Sequence, residues 1–353
     1  FGSELNLPAL ETLTFDTGTT SAYQATVTAT DSGHIDVPLL DTITQGTNHR
    51  LRLVLTSNGT LDAAALPSGE RLSLEPGANA NLTLPSLTTL TNSTASVQGT
   101  LTLAALTSTT DTTIALSGNG TVAVGALATM TGGAFTAEDT GHATLGALTT
   151  LQSTSVSVRE TATVSLPALT QWTSNNGTTS LIVQNDGAFT ADNLAQLSNV
   201  WIQVRSGAQV TLPALTTYSW STVTSPTLLD AANVNSQINL PALTTLTFDT
   251  GTTSAYQAYI TASDSGHIDV PVLATATLGT NHRLNLQLAT AGTIDAAALP
   301  TGTRLFVTLG PGTNLSLPGT TSISDGGFTV DGTLDLPNIT TMSGTAILLR
   351  GTA

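Results

Sequence analysis

The sequence contains no cysteine and no lysine, and aromatic residues make up only 4% of its 353 residues. Without cysteine the chain can form neither a disulfide framework nor a thiolate metal site. Without lysine its basic side chains are eight arginines, and the formal net charge is −15. So acidic a chain lacks the clustered cations with which proteins bind nucleic acids or anionic membrane surfaces.

Long apolar runs are missing as well. No stretch stays apolar for the roughly 18 residues that a membrane-spanning helix needs. No linker, charge run or change of composition divides the chain, which predicts one continuous domain over residues 1–353. Because aromatic residues are so few, leucine, valine, isoleucine and alanine must build the core in many small layers.

A long internal repeat is the strongest feature of the sequence. Residues 7–74 return at 240–307 with a constant offset of 233 and no gap, and 50 of the 68 paired positions are identical. The chain therefore holds one full period, residues 7–239, and a partial second period, residues 240–353. A repeat of this size is identified before any other feature, because it separates stacked architectures from globular ones.

A shorter unit lies inside the long repeat. It is anchored on the second apolar residue of LxLPAL-like segments, which we call the marker. The markers are Leu7, Val37, Ala63, Leu84, Leu103, Val124, Leu145, Leu166, Ala191, Leu212, Leu240, Val270, Ala296, Leu317 and Leu336. Successive markers are 19 to 30 residues apart, most often 21, and the first spacings return in the same order after 233 residues.

Two segments of each unit alternate apolar and polar residues, one directly before the marker and one about ten residues earlier. This period of two is typical of strands that bury one face. Glycine stands four residues before many markers, as at Gly33 and Gly59, and predicts a corner with positive φ. Proline directly after the marker, as at Pro38, ends the second strand because it has no N–H to donate.

Units of about 21 residues cannot bury their leucines alone and have to stack. The pattern therefore predicts an all-β fold, a parallel β-solenoid of about 15 coils, and right-handed winding is the default for parallel crossovers. A leucine-rich-repeat-like or receptor L-domain-like solenoid is the alternative. That alternative requires a helix or an asparagine ladder in each unit, and neither is evident.

The alternation of LPxLTTL arms with short GTLTL strands resembles the β-helical repeats of bacterial and archaeal surface or adhesin-type proteins. The resemblance covers the whole chain and lies in pattern and composition. It implies an extracellular or cell-surface, non-enzymatic role as a stalk, surface-layer, adhesin or filament subunit. Neither terminal segment has a polar cap, so we expect further coils or end-to-end self-association, with cell-surface components or polysaccharide as other partners.

The turn sequence Asp-Ser-Gly-His-Ile-Asp occurs in both periods, at 31–36 and 264–269. In a stack, outward Asp36 should lie about 4.8 Å from Asp62 in the next coil, and Asp269 should lie beside Asp295 in the same way. Two such carboxylates could share a calcium ion. A solvated acidic edge is the simpler explanation, and no motif requires a cofactor.

A second polar group is the motif Asn-His-Arg, which precedes a strand in both periods. Arg52 and Arg71 could hold a carboxylate or sulfate, although neutralisation of nearby acidic side chains is favoured in this chain. The predicted ligand surface consists of His34, Asn48, His49, Arg50, Arg52, Arg71, His267, Asn281, His282 and Arg283.

Large aromatic residues concentrate between Trp172 and Trp220. Trp172 and Tyr218 stand six residues after a marker, a core position. Trp201 precedes the inward Ile202 and should face out. Trp201 and Trp220 are therefore candidates for stacking on a sugar ring. The alternative function is a carbohydrate-binding or carbohydrate-active β-helix of polysaccharide lyase or hydrolase type.

Catalytic motifs are not evident. The chain lacks a Ser-His-Asp order, a phosphate-binding glycine loop and a large cleft-forming insertion, so the sequence predicts no enzyme and no catalytic residue. Seven Asn-x-Ser/Thr sequons are candidate glycosylation sites in a secreted protein. They lie at Asn58, Asn81, Asn92, Asn119, Asn176, Asn314 and Asn338.

Overall fold

The computed structural model describes residues 2–16, 18, 21–299 and 301–351, and in these residues the regular structure is all strand, with no helix. The chain divides into two compact units, Phe1–Ala168 and Leu169–Ala353. In each unit parallel strands stack coil upon coil, with marker strands directly before the markers, arm strands after them and long strands beyond the arms. The predicted parallel β-solenoid is confirmed.

In the first unit, two strands run through both the arm and the long segment, Ser108–Leu116 and Thr129–Ala137. The marker strands are Glu4–Asn6, His34–Asp36, Thr60–Asp62, Asn81–Thr83, Thr100–Thr102, Thr121–Ala123, His142–Thr144 and Thr163–Ser165. The separate arm strands are Thr12–Phe15, Thr42–Gln45, Ser68–Glu70, Thr89–Thr91 and Thr150–Gln152. The separate long strands are Gln24–Ala29, Arg50–Leu55, Leu72–Pro76, Thr94–Val97 and Ser155–Arg159.

The second unit repeats the same order of strands. Its marker strands are Ala188–Thr190, Gln209–Thr211, Gln237–Asn239, His267–Asp269, Thr293–Asp295, Asn314–Ser316 and Thr333–Asp335. Its arm strands are Gln171–Thr173, Gln196–Ser198, Thr217–Trp220, Thr245–Phe248, Thr275–Leu278, Thr301–Thr303, Ser322–Ser324 and Thr341–Ser343. Its long strands are Thr179–Gln184, Val200–Arg205, Thr227–Ala232, Gln257–Ser263, Arg283–Leu288, Leu305–Leu309, Gly327–Val330 and Ala346–Leu349.

Marker strands of neighbouring coils pair residue for residue. Glu4–Asn6 pairs with His34–Asp36, which pairs in turn with Thr60–Asp62. In the second unit Gln237–Asn239 lies between Gln209–Thr211 and His267–Asp269 in the same register. The middle residue of each strand points inward, so each outward position forms a column that runs from coil to coil.

Each coil buries a short set of apolar side chains at fixed distances from its marker. Around Leu84 the set is Leu82, Leu84, Leu87 and Leu90, all at most 1% exposed. A turn brings the third of these inward, because the N–H of Leu87 donates to the carbonyl of Leu84. Burial of one such side chain stabilises the fold by about 1.5–3 kcal/mol, so stability is spread over many coils.

The corner before each marker strand corrects one expectation. Gly33 and Gly59 do not have positive φ; the residues before them do, with φ of 49° at Ser57 and 66° at Asn58. The N–H of Gly59 donates to the carbonyl of Thr56, as in a type I′ turn. Glycine is needed instead because a Cβ at Gly59 would overlap the carbonyl oxygen of Ala29 in the previous coil.

Threonine hydroxyls connect neighbouring coils along the arms. Thr88, four residues after its marker, donates its hydroxyl to the carbonyl of Pro67 (2.8 Å), and Thr107 donates to the carbonyl of Thr88 (3.1 Å). Thr216 and Thr244 occupy the same position in the second unit and make the same kind of bond. Part of the abundant threonine therefore serves coil-to-coil hydrogen bonding in addition to strand propensity.

A second polar column is buried at the corner between arm and long strands. Ser93 is 2% exposed, donates to the carbonyl of Thr91 and accepts the N–H of Leu72 from the previous coil. Thr112 and Thr154 hold the equivalent corners and are fully buried. Asn199 occupies this corner in the second unit and is 5% exposed. These side chains satisfy backbone groups that the turn leaves without strand partners.

Candidate functional site

The two predicted aspartate pairs lie as expected. Asp36 aligns with Asp62 in the first unit, and Asp269 aligns with Asp295 in the second. Partial burial, with the nearby Asp295 carboxylate, raises the pKa of Asp269 above its usual value, and His267 opposes that rise. One oxygen of Asp295 already accepts the backbone N–H of Ala297 (3.0 Å).

Outward histidines beside these aspartates bond to threonine one coil further along. His34 Nδ1 lies 2.7 Å from Thr60 Oγ1, and His267 Nδ1 lies 2.7 Å from Thr293 Oγ1. His142 forms the same contact with Thr163. The histidines thus have a structural partner in each case. In the described part of the chain no three His, Asp or Glu side chains group closely enough to hold a metal ion.

The prediction that His49 and His282 belong to an exposed ligand surface is wrong, because both side chains are fully buried. His49 precedes the inward Leu51 by two residues, and His282 precedes Leu284 in the same way, so strand alternation turns both inward. The His282 ring lies 5.0 Å from that of Phe248, and the His49 ring lies 5.0 Å from that of Phe15.

His282 is held at both ring nitrogens. Its Nδ1 lies 2.8 Å from the carbonyl of Thr280, which can only accept, so Nδ1 carries a proton and donates. Its Nε2 accepts the N–H of Thr250 (3.3 Å) and lies 2.8 Å from the Thr250 hydroxyl. A buried polar ring with these partners holds the second-unit arm against its neighbour.

Two arginines of the predicted surface, Arg52 and Arg71, form ion pairs. Arg52 makes a bidentate hydrogen bond to Glu75, with Nε–Oε1 at 2.8 Å and Nη2–Oε2 at 2.6 Å. The Arg52 guanidinium holds the pKa of Glu75 below its usual value. Arg71 forms an ion pair with Glu70 (3.0 Å). These contacts agree with the favoured prediction that arginine neutralises nearby carboxylates, and leave no joint clamp of Arg52 and Arg71.

The remaining residues of that surface are spread over the outside of their units. Arg50 donates to the hydroxyl of Thr94 (2.9 Å), and Asn281 donates to the carbonyl of Thr253 (2.8 Å). The Arg283 guanidinium lies 4.6 Å from the centroid of the Phe306 ring. Asn48 is exposed. Within each unit, the buried histidine and the separate partners of the other residues therefore do not form one ligand surface.

All seven sequon asparagines are exposed: Asn58, Asn81, Asn92, Asn119, Asn176, Asn314 and Asn338. Asn58 and Asn92 occupy corners with positive φ, where asparagine is tolerated better than most residues. Each of these amides is thus accessible on the outside of its unit, and glycosylation of them stays a prediction.

An acidic pair that sequence reasoning did not single out lies at a corner of the first unit. Asp139 accepts the N–H of Gly118 (2.8 Å), and this bond is the main reason that its pKa lies below the usual value. Glu160 lies beside Asp139 in the next coil, accepts its N–H (3.1 Å) and has a raised pKa because of that neighbour. Both groups are solvated at the edge of the corner column, which is typical of a structural carboxylate.

The prediction that Trp220 is exposed for stacking on a sugar ring is wrong. Trp220 is 1% exposed, because it follows the inward Tyr218 by two residues on the same arm strand. Trp172 and Tyr218 are buried as expected. Trp201 is partly exposed on the outer side of its long strand, as expected.

A recess of about 300 Å³ opens beside Trp201. An edge of Trp220 reaches its floor, and Pro226 adds an apolar side. Side chains of Thr224, Ser225 and Thr227 complete the lining with Gly177, and the lining contains no charged residue. The sequence pattern did not point to these hydroxyl residues. The uneven spacings of 25, 21 and 28 residues between successive markers indicated only that the coils here are irregular.

Two loops from the longer coils flank the shorter coil that carries Trp201. Asn199 connects them: its Nδ2 donates to the carbonyl of Ser174 (2.8 Å), and its Oδ1 accepts the N–H of Ser221 (2.6 Å). A methyl group at Gly177 would overlap the Thr222 side chain, so the loops also meet each other. The recess is therefore preformed by the hydrogen bonds of a buried amide.

Among the residues that the structure places, no helix is long and apolar enough to cross a membrane. The fold and the outer side chains are the features from which a role has to be inferred. No protein-family model, no curated protein and no solved structure matches the chain.

Proposed function

We propose that the chain is a non-enzymatic, extracellular or cell-surface repeat protein with a structural and adhesive role, such as a stalk, surface-layer, adhesin or filament subunit. One observation carries the proposal: the outward polar side chains of the repeat bond to neighbouring coils. His34 bonds to Thr60, Arg52 to Glu75, and Thr88 to Pro67. Such side chains reinforce a stack, whereas a catalytic site needs them directed at a substrate.

The carboxylates also favour a structural role. Asp36 and Asp62 stand one above the other in a column, whereas an acid and base pair of a glycosidase faces a substrate from two sides. The pKa of Asp269 is raised by burial and by its equivalent neighbour, Asp295, which accounts for the shift without a catalytic role.

The test of the non-enzymatic role is a turnover screen on acidic and neutral polysaccharides. We expect no new reducing ends and no unsaturated products from the unaltered chain. Asp36→Ala and its counterpart Asp269→Ala serve as the matched pair. Turnover that either substitution abolishes would contradict the structural role and favour the carbohydrate-active alternative.

A further inference from the structure

The recess beside Trp201 has the chemistry of a binding site. Its lining includes the partly exposed Trp201 and the hydroxyl-bearing residues Thr224, Ser225 and Thr227. Ligand sites combine apolar walls with a few placed polar groups in this way. A purely structural corner would need neither the flanking loops nor an exposed tryptophan, which is costly to leave in water.

Hydrogen bonds connect the two loops that form the recess. Buried Asn199 bonds to both flanking loops, and the indole N–H of Trp220 donates to the hydroxyl of Thr224 (3.3 Å) from below. The hydroxyls of Thr222 and Thr224 lie 3.3 Å apart. A preformed site loses little conformational entropy when it binds, so a small contact area can still give measurable affinity.

The lining selects one class of ligand. With no charged residue it offers nothing to a phosphate, a carboxylate or a metal ion. A neutral pyranose fits, since one face of the ring carries C–H groups that pack on an indole while its rim carries hydroxyls that both donate and accept. Thr224 and Ser225 already accept the N–H groups of Trp220 and Gln257, and their hydroxyls keep a proton to donate to a sugar oxygen.

The neighbouring coils extend the surface in one direction. Thr227 aligns with Tyr259 across a bulge at Leu228, and the inward residues Ile202, Leu229 and Ile260 align in successive coils. Trp201 and Tyr259 are therefore two strand spacings apart on the outer side, about 9–10 Å. Tyr259 is partly exposed and donates its hydroxyl to Gln257 (2.8 Å). Two aromatic platforms at this separation suit an oligosaccharide that spans both of them.

We propose that this surface binds a neutral oligosaccharide, with one pyranose ring stacked on Trp201 and the chain running across Thr227 toward Tyr259. The inference rests on the proposed adhesive function, which it supplies with a ligand. Trp220 contributes by holding the floor and Thr224 in place, since its own ring faces are buried.

The experiment is calorimetric titration of the full chain with cellohexaose, xylohexaose, mannohexaose and maltohexaose, and with a glucuronate oligomer as the charged comparison. We expect at least one neutral hexasaccharide to bind, more tightly than its disaccharide, and the charged oligomer to bind more weakly. Trp201→Ala should weaken binding at least about tenfold with an unchanged melting temperature. Tyr259→Ala should weaken the hexasaccharide but not the disaccharide.

Tyr23→Ala is the matched control, since Tyr23 is another exposed aromatic residue, 46% exposed, and belongs to the first unit. Tyr23 lines neither the recess nor the strand of Tyr259, so its loss should leave binding unchanged. Absence of binding to all four neutral hexasaccharides, or equal affinity of the Trp201→Ala variant, would overturn the inference. Product analysis of the same mixtures separates the two proposals: cleavage counts against the non-enzymatic role, and absence of binding counts against the sugar site.

Discussion

His282 and His267 lie in the same unit, and their side chains point in opposite directions, His282 inward and His267 outward. His282 is buried with both ring nitrogens bonded, whereas His267 lies outside and bonds to Thr293. A buried polar ring stabilises the fold only while its partners remain, because its removal leaves the backbone N–H of buried Thr250 without its acceptor. The same residue type should therefore have very different energetic weight at the two positions.

Replacement of His282 by alanine should destabilise the second unit by about 2–5 kcal/mol, from lost packing beside Phe248 and from the unpaired N–H of Thr250. His267→Ala is the control and should change stability by no more than about 0.5 kcal/mol. Urea unfolding measures both. Equal losses would contradict the assigned role of the buried ring.

Asp269 has a raised pKa in the folded chain because of burial and the charge of Asp295. Folding therefore favours the protonated form, and this group lowers stability as the pH rises from its usual value of 3.8 through the folded value. Asp269→Asn should raise the melting temperature at neutral pH and leave it unchanged below that usual value. A loss of stability at neutral pH would mean that the Asp269 charge is satisfied by a bound cation.

Glu75 responds in the opposite direction, because Arg52 lowers its pKa. Its contribution is complete above the usual value of 4.5 and is lost as the pH falls through the lower folded value. Asp269 in the second unit and Glu75 in the first unit therefore change stability in opposite directions as the pH changes. The Arg52–Glu75 pair is partly solvated, so its contribution is smaller than that of a buried pair.

At the scale of elements, the corner glycines set how closely two coils approach. A Cβ at Gly59 would overlap the carbonyl oxygen of Ala29, whereas Gly125, in the turn after its marker, has no atom within 4 Å of the equivalent Cβ position. Gly125 also has no positive φ. The two glycines offer a matched comparison of close approach against chain flexibility within one unit.

Gly59→Ala should lower the free energy of unfolding by about 1–3 kcal/mol, because the new Cβ and the Ala29 carbonyl of the previous coil must move apart. Gly125→Ala should be neutral or stabilising by up to about 1 kcal/mol, because it reduces the freedom of the unfolded chain. Thermal unfolding followed by circular dichroism measures both changes. A neutral Gly59→Ala would show that the coils can separate freely at this corner.

Strand alternation predicted the coil elements well, because period two and the marker set follow directly from leucine positions such as Leu82 and Leu84. The same alternation also gives the correct side for the two residues that were misplaced. His49 and Trp220 each lie two residues from an inward side chain, so both face inward. The recess is different. Spacing showed that two coils were longer, but which corner receives the extra residues depends on Asn199 and its partners across coils.

At the scale of the whole molecule, the net charge of −15 is carried by 23 acidic and eight basic residues. Columns such as Asp36–Asp62 repeat acidic groups at one strand spacing, so part of the repulsion is local. Dissolved salt screens such exposed charges within about 10 Å at moderate ionic strength. The chain should therefore gain stability with salt.

We expect sodium and calcium chlorides at matched ionic strength to raise the melting temperature equally. The two salts should act equally because each aspartate pair offers only two carboxylates, whereas calcium takes six to eight oxygen ligands. Differential scanning calorimetry of the unaltered chain and of Asp36→Asn with Asp269→Asn makes the comparison. A larger calcium effect that disappears in the double variant would establish calcium at these columns.

The marker strands keep a constant register through coils of 19 to 30 residues. Their pairing is therefore independent of the length of the corners. Extra residues enter at corners such as 221–226, where the arm strand before the corner keeps its register and the long strand after it absorbs one residue in a bulge between Thr227 and Leu229. An insertion at one corner can therefore change the outer surface of the protein without changing the fold. For protein engineering, the same corners are the places to graft a foreign peptide.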